Sequence, residues 1–117
     1  MRRGPHYAAD IVLHEGSRAI RLNYLTFNST VALPGVVLAP GRYVFESGPH
    51  GTDRALVRVM SADRQRVHYL GLTNAVTRPA AMPLNQTVLL GEAIRGQSTP
   101  IKAWYLINSP RGHQFRW

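Results

Sequence analysis

Five histidines and six carboxylates carry whatever metal-binding or proton-transfer chemistry this 117-residue chain has. His6, His14, His50, His68 and His113 show no ligand spacing such as H-x-H or H-E-x-x-H, and the chain has no cysteine to complete a set with thiolate. General acid–base catalysis needs two groups brought together, and nothing in the placement of Asp10, Glu15, Glu46, Asp53, Asp63 and Glu92 selects a pair. Asp53 and Asp63 lie among turn residues, where aspartate commonly bonds its own backbone, and Glu46 closes an alternating strand. The one Gly-x-Ser, Gly96-Gln97-Ser98, runs into Thr99-Pro100, so the strand-to-helix elbow of a serine nucleophile is missing. The loop Gly48–Arg54 offers backbone N–H groups and Arg54 to an anion, but without the GK[ST] and following helix of a phosphate loop. The expectation is therefore a protein that is not an enzyme, with no catalytic residue, metal or cofactor.

Aromatic residues give a different chemistry, the stacking of sugars or bases. Tyr43, Phe45, Tyr69, Trp104, Tyr105, Phe115 and Trp117 are the candidates. Alternation puts Tyr43, Phe45 and Tyr105 on core faces. Trp104 shares its strand face with Lys102, so Lys102 and Trp104 are expected as an exposed contact surface.

The formal charge of +8 raises nucleic acid as a partner. Lys102 is the sole lysine among 14 basic residues, a bias that GC-rich coding produces. The arginines are scattered, Arg2-Arg3 being the one adjacent pair, so a solvated basic surface is favoured over a phosphate-tracking one. No apolar run approaches the roughly 20 residues of a membrane-spanning helix. No apolar stretch follows Arg2-Arg3, so no signal peptide is read in the chain.

The elements that must position these residues alternate with period two and are interrupted about every eight to fifteen residues by Gly, Pro, Asn or Asp. That pattern, with 44% hydrophobic residues, predicts one all-β domain, a β-sandwich of about seven to nine short strands with an immunoglobulin-like or transthyretin-like shape. Strands are expected at Ile11–Leu13, Ala19–Phe27, Arg42–Glu46, Arg54–Met60, Arg66–Thr73, Gln86–Gly91 and Ile101–Ile107, with short pieces at Thr30–Leu33 and Val36–Leu38. In the last full strand Ile101, Ala103, Tyr105 and Ile107 would share one face. Ser61-Ala62-Asp63 reads as a hairpin turn and Thr77–Asn85, with Pro79 and Pro83, as a loop or crossover. The tail Gly112–Trp117, alternating His113, Phe115 and Trp117, is expected to dock. In Ala32–Glu46, ALPGVVLAPGRYVFE, Pro34-Gly35 and Pro40-Gly41 each suit a tight turn with proline second and a positive-φ glycine third.

Several pieces in order, VALPGVVLAPGRYVFE (Val31–Glu46), ALVRVMSADRQRVHYLGLT (Ala55–Thr73), Arg78-Pro79, TVLLGEAIRGQSTPIKAWY (Thr87–Tyr105) and GHQF (Gly112–Phe115), cover roughly three quarters of the chain. In this order the chain resembles a family of small, uncharacterised bacterial proteins common in acidobacteria and usually made with a signal peptide. The resemblance implies a secreted or envelope-associated β-sandwich with no established activity, and it carries over no site residue. Met1–Tyr24 has no counterpart in it. Residues 1–24 are accordingly read as an N-terminal strand or hairpin segment that is a candidate assembly arm, and 25–117 as the sandwich domain.

The leading functional expectation is a non-catalytic extracytoplasmic module acting through a protein partner or self-association, including strand exchange into an oligomer or filament. The rival is a basic nucleic-acid-binding small β-barrel. The rival predicts binding to random oligonucleotides that weakens steeply as salt is raised; flat or absent binding in a low-salt filter assay rules it out.

Overall fold

The computed structural model describes residues 6–7, 11–15, 18–47 and 55–117, and side chains from residue 21 onward. The expected loop Gly48–Arg54, with Asp53 and His50, lies outside the described residues, as do Asp10 and the segment ahead of His6. The described residues contain strands and turns and no helix. The strands are β1 (His6–Tyr7), β2 (Ile11–Glu15), β3 (Arg18–Phe27), β4 (Val31–Leu33), β5 (Val36–Leu38) and β6 (Gly41–Ser47). Then come β7 (Leu56–Ser61), β8 (Val67–Thr77), β9 (Val88–Leu90), β10 (Thr99–Tyr105) and β11 (Arg111–Phe115).

All eleven belong to one hydrogen-bonded sheet, ordered β1-β3-β6-β7-β8-β11-β10-β4-β5, with β2 on β3 and β9 on β10. The sheet turns over at β8. The first part of that strand pairs with β7 (Leu56↔Leu72 to Met60↔Val67), and Thr73–Thr77 pair with β11. As a result Phe45 of β6 meets Trp104 of β10, ring centroids 5.8 Å apart, although β7, β8 and β11 separate their strands along the sheet. Two layers thus enclose one core. Leu25, Phe27, Tyr43, Phe45, Val57 and Val59 come from the first layer, and Val31, Leu33, Leu38, Val88, Ile101, Trp104 and Phe115 from the second. The protein is all-β, as expected, with nine strands on the sheet's main path and two beside it. The sheet folds over without closing into a barrel. Ile11–Glu15 pairs in cis with β3, in register from Ile11↔Leu22 to Glu15↔Arg18, and β3 runs unbroken past residue 24.

The alternation rule fails at one place that matters. Against β9, Ile101 faces Leu90 and Ala103 faces Leu89, so Lys102 is an extra residue in β10. Such a bulge reverses side-chain parity beyond it. Ile101 and Trp104 therefore both enter the core, while Ala103 and Tyr105 turn to the opposite face beneath Met82. The expected common face of Ile101, Ala103, Tyr105 and Ile107 is corrected accordingly: Ala103 and Tyr105 share a face, Ile101 lies on the other, and β10 ends before Ile107. The two Pro-Gly pairs also part company. Leu33↔Val36 leaves Pro34-Gly35 as a two-residue turn, with Gly35 at φ 75° as type II geometry requires. Gly41, at φ 157°, instead opens β6 opposite Phe27, and the Tyr43 hydroxyl reaches back to the Ala39 carbonyl at 2.6 Å. That second pair is a bend into a strand, not a tight turn.

The outer faces are covered locally. On the first layer Leu22, Val44 and Met60 cluster with Tyr24, and the Arg42 guanidinium lies 4.7 Å from the Tyr24 ring centre. Glu46 points away from the main core as alternation requires, yet its side chain is fully buried. Arg58 holds one carboxylate oxygen through two N–H groups, its Nε at 2.7 Å. Arg64 Nη1 stands 2.8 Å from the other oxygen as an ion pair without hydrogen-bond alignment. Arg64 reaches there from a turn in which its own φ is 62°.

On the second layer the loop after β8 folds over Ala103 and Tyr105, with Met82 as its apolar contact. Arg78 fixes that loop. Its Nε donates to the Ser109 carbonyl at 2.7 Å, Nη1 to the carbonyls of Pro83 (2.6 Å) and Gln86, and Nη2 to the Leu106 carbonyl at 3.0 Å. Its backbone N–H bonds the Pro110 carbonyl at 2.7 Å. The guanidinium also lies 5.1 Å from the Tyr105 ring centre, and the ring has room because its cross-strand partner is Gly112, where a Cβ would fall 2.3 Å from Tyr105 Cδ2. Lysine keeps the charge but cannot deliver the planar fork. Arg78→Lys is expected to lower unfolding free energy by about 2–4 kcal/mol, read as a reduced midpoint in urea.

Candidate functional site

A groove of about 660 Å³ opens on the outer side of the second layer. Its floor follows from the β4–β5 hairpin. Val31, Leu33 and Leu38 are buried inward, so the alternate residues Ala32 and Val37, which face each other across the hairpin, point out. β4 runs parallel to the start of β10, placing Pro100 opposite Ala32. The segment Gly91–Ser98 forms the wall, with Ile94 62% exposed. Trp117 closes one end: it is 61% exposed, yet its indole N–H is held by the Ile101 carbonyl at 2.9 Å. The polar side chains on the lining are Glu92, Gln97, Ser98 and Lys102.

The expected contact pair divides. Lys102 is exposed on the groove lining, on the face opposite the buried Ile101 as alternation expects. Trp104 is not at the surface at all. Its side chain is fully buried, its Nε1–H donates to Asn23 Oδ1 at 3.0 Å, and His113 stacks on it at 5.3 Å. The exposed Trp104 expectation is corrected: the bulge at Lys102 reverses parity beyond it, so Trp104 turns inward. The tryptophan that shares a site with Lys102 is Trp117, which the alternating tail had assigned to a docked segment. Phe115 does dock in the core, but β11 ends there and Trp117 continues onto the groove.

The titratable groups occupy separate settings. Asp63 caps its own turn, accepting from the Ser61 hydroxyl at 2.6 Å and the Gln65 amide at 3.0 Å, which holds its carboxyl below the usual range. Glu46 is committed to Arg58 and Arg64. Glu92 lines the groove. His68 packs edge-on against Tyr43 and is half-buried. Among the described residues no three of His, Asp and Glu gather at metal-binding range, and no helix is long and apolar enough to cross a membrane.

His113 Nδ1 lies 3.0 Å from the Thr73 hydroxyl, which is itself 2.7 Å from the Ala55 carbonyl. Burial pushes the His113 pKa below the ordinary histidine value. Protonation therefore favours the unfolded chain, and the stability that the neutral ring supports is lost as pH falls below about 6.5. Wild type should lose more stability between pH 7 and pH 5 than His113→Gln does, measured by urea unfolding at each pH. Equal losses would show that His113 does not titrate in this way.

Compared with known proteins, the chain matches no family model, no curated protein and no solved structure.

Proposed function

We propose that this protein is a non-catalytic binding module that works outside the cytoplasm and takes its ligand in the groove between the β4–β5 hairpin and Gly91–Ser98. One observation carries the binding reading: a large aromatic side chain, Trp117, is kept 61% exposed while its one polar atom is tied to the backbone. Apolar and aromatic side chains gathered in one concave lining, with a few polar groups among them, are the usual composition of a ligand site. Val37 and Ile94, also largely exposed, share that lining. The extracytoplasmic setting and the kinship with small acidobacterial envelope proteins rest on the ordered sequence pieces alone.

The nucleic-acid rival draws less support from the arginines than the net charge suggests. Arg78 is buried among carbonyls, Arg58 and Arg64 serve Glu46, Arg42 covers Tyr24, and Arg116 bonds Asn74 at 3.0 Å. The groove itself carries one acid and one lysine, a poor match to a polyanion.

A fragment library screened by proton–nitrogen NMR should give hits whose shifts concentrate on Val37, Ile94, Lys102 and the Trp117 indole. Hits that instead concentrate on Leu70 and Leu72, the exposed leucines of β8, would overturn the choice of site.

A further inference from the structure

We infer that the ligand of this groove is a glycan, bound as a short stretch of pyranose units laid across Trp117; this rests on the groove being the binding site. A pyranose has two kinds of surface. Its axial C–H faces are apolar and flat, and its rim is a ring of hydroxyls that both donate and accept hydrogen bonds. The groove offers a counterpart to each.

For the face there is the Trp117 indole. Because its N–H is spent on the Ile101 carbonyl, the ring is fixed in orientation and its exposed part presents carbon. For the rim there are four side chains of complementary type. Glu92 accepts, Lys102 donates, and Gln97 and Ser98 do both. None of the four makes a side-chain hydrogen bond to another described residue, so each is available to a ligand. The volume, about 660 Å³, falls within the roughly 300–1,000 Å³ of small-molecule pockets.

The charge selects further. On a chain of net charge +8 the groove holds Glu92 against Lys102, so it does not concentrate positive potential and does not favour a phosphate or nucleotide. A wholly apolar peptide would offer nothing to Glu92, Lys102 and the Gln97 amide, all exposed on the lining. A neutral polyol with apolar faces satisfies both halves of the lining.

The probes are cellohexaose and chitohexaose in solution, and insoluble cellulose, chitin and peptidoglycan in a sedimentation assay, so that free oligosaccharide and polymer are distinguished as sources. At least one should bind, with soluble sugar shifting the Trp117 indole and Lys102 resonances and leaving the buried Trp104 indole unmoved. Trp117→Ala should weaken binding about tenfold or more, the equivalent of losing one stacking contact, while Trp117→Phe retains most of it. Lys102→Met, at an exposed position, should weaken it without changing the urea midpoint. If no glycan binds but fragments still collect in the groove, the glycan assignment is overturned and the binding site stands; if fragments also ignore the groove, both fall. Glycan binding undiminished in Trp117→Ala overturns the assignment as well.

Discussion

A single hydrogen bond between Trp104 and Asn23 sets the geometry on which the rest depends. Both side chains are fully buried, one on β10 and the other on β3, and the bond joins the two layers across the interior. An indole N–H left without a partner there would cost about 1–3 kcal/mol, so the ring and the amide must be placed together. Asn23 is itself steadied by its amide donating to the Leu22 carbonyl at 3.1 Å. Phe45 tilts against the indole from one layer, and His113 stacks on it from its own. Bringing Trp104 inward after Ile101 is already inward requires an extra residue between them. That residue is Lys102, which stays on the outer groove while the bulge turns Trp104 away from it into the core.

Charge is handled in two ways on the two layers. Arg78 is surrounded by carbonyl oxygens from three places in the chain, a set that matches the fork of a guanidinium. Glu46 is the reverse case, an anion withdrawn from solvent and approached by two arginines that are themselves about a quarter to a third exposed. Pairs of this kind gain little net stability against apolar replacements, because desolvation offsets the attraction. Breaking one side alone is what costs. Of the 14 basic residues, Arg58, Arg64 and Arg78 are thus committed to contacts within the fold.

Much of this was legible in the sequence, and the failures have identifiable causes. Period-two alternation located β6, β7 and β10, and Ser61-Ala62-Asp63 marked the β7–β8 turn, since backbone geometry there is dictated by local residue types. Pro34-Gly35 was readable because a two-residue turn needs a positive φ. Pro40-Gly41 was not, because glycine also begins strands. The bulge at Lys102 has no local signature: it is set by what Trp104 meets across the core, and every face assignment beyond it inverts. The burial of Glu46 was hidden in the same way, since Arg58 and Arg64 reach it from a neighbouring strand and a turn. For the groove, the sequence supplied Lys102 and the idea of a tryptophan beside it, but tertiary packing decided which tryptophan.

β8 belongs to both layers, giving its first half to β7 and its last five residues to β11. In a sandwich of two separate sheets, each layer can shear against the other and open on its own. Here the covalent backbone of one strand crosses the seam, so a tension applied to one layer is transmitted along the chain to the other. The fold is one bent sheet and not two stacked ones, and the groove, the half-buried His113 and the Arg78 clamp all stand on it.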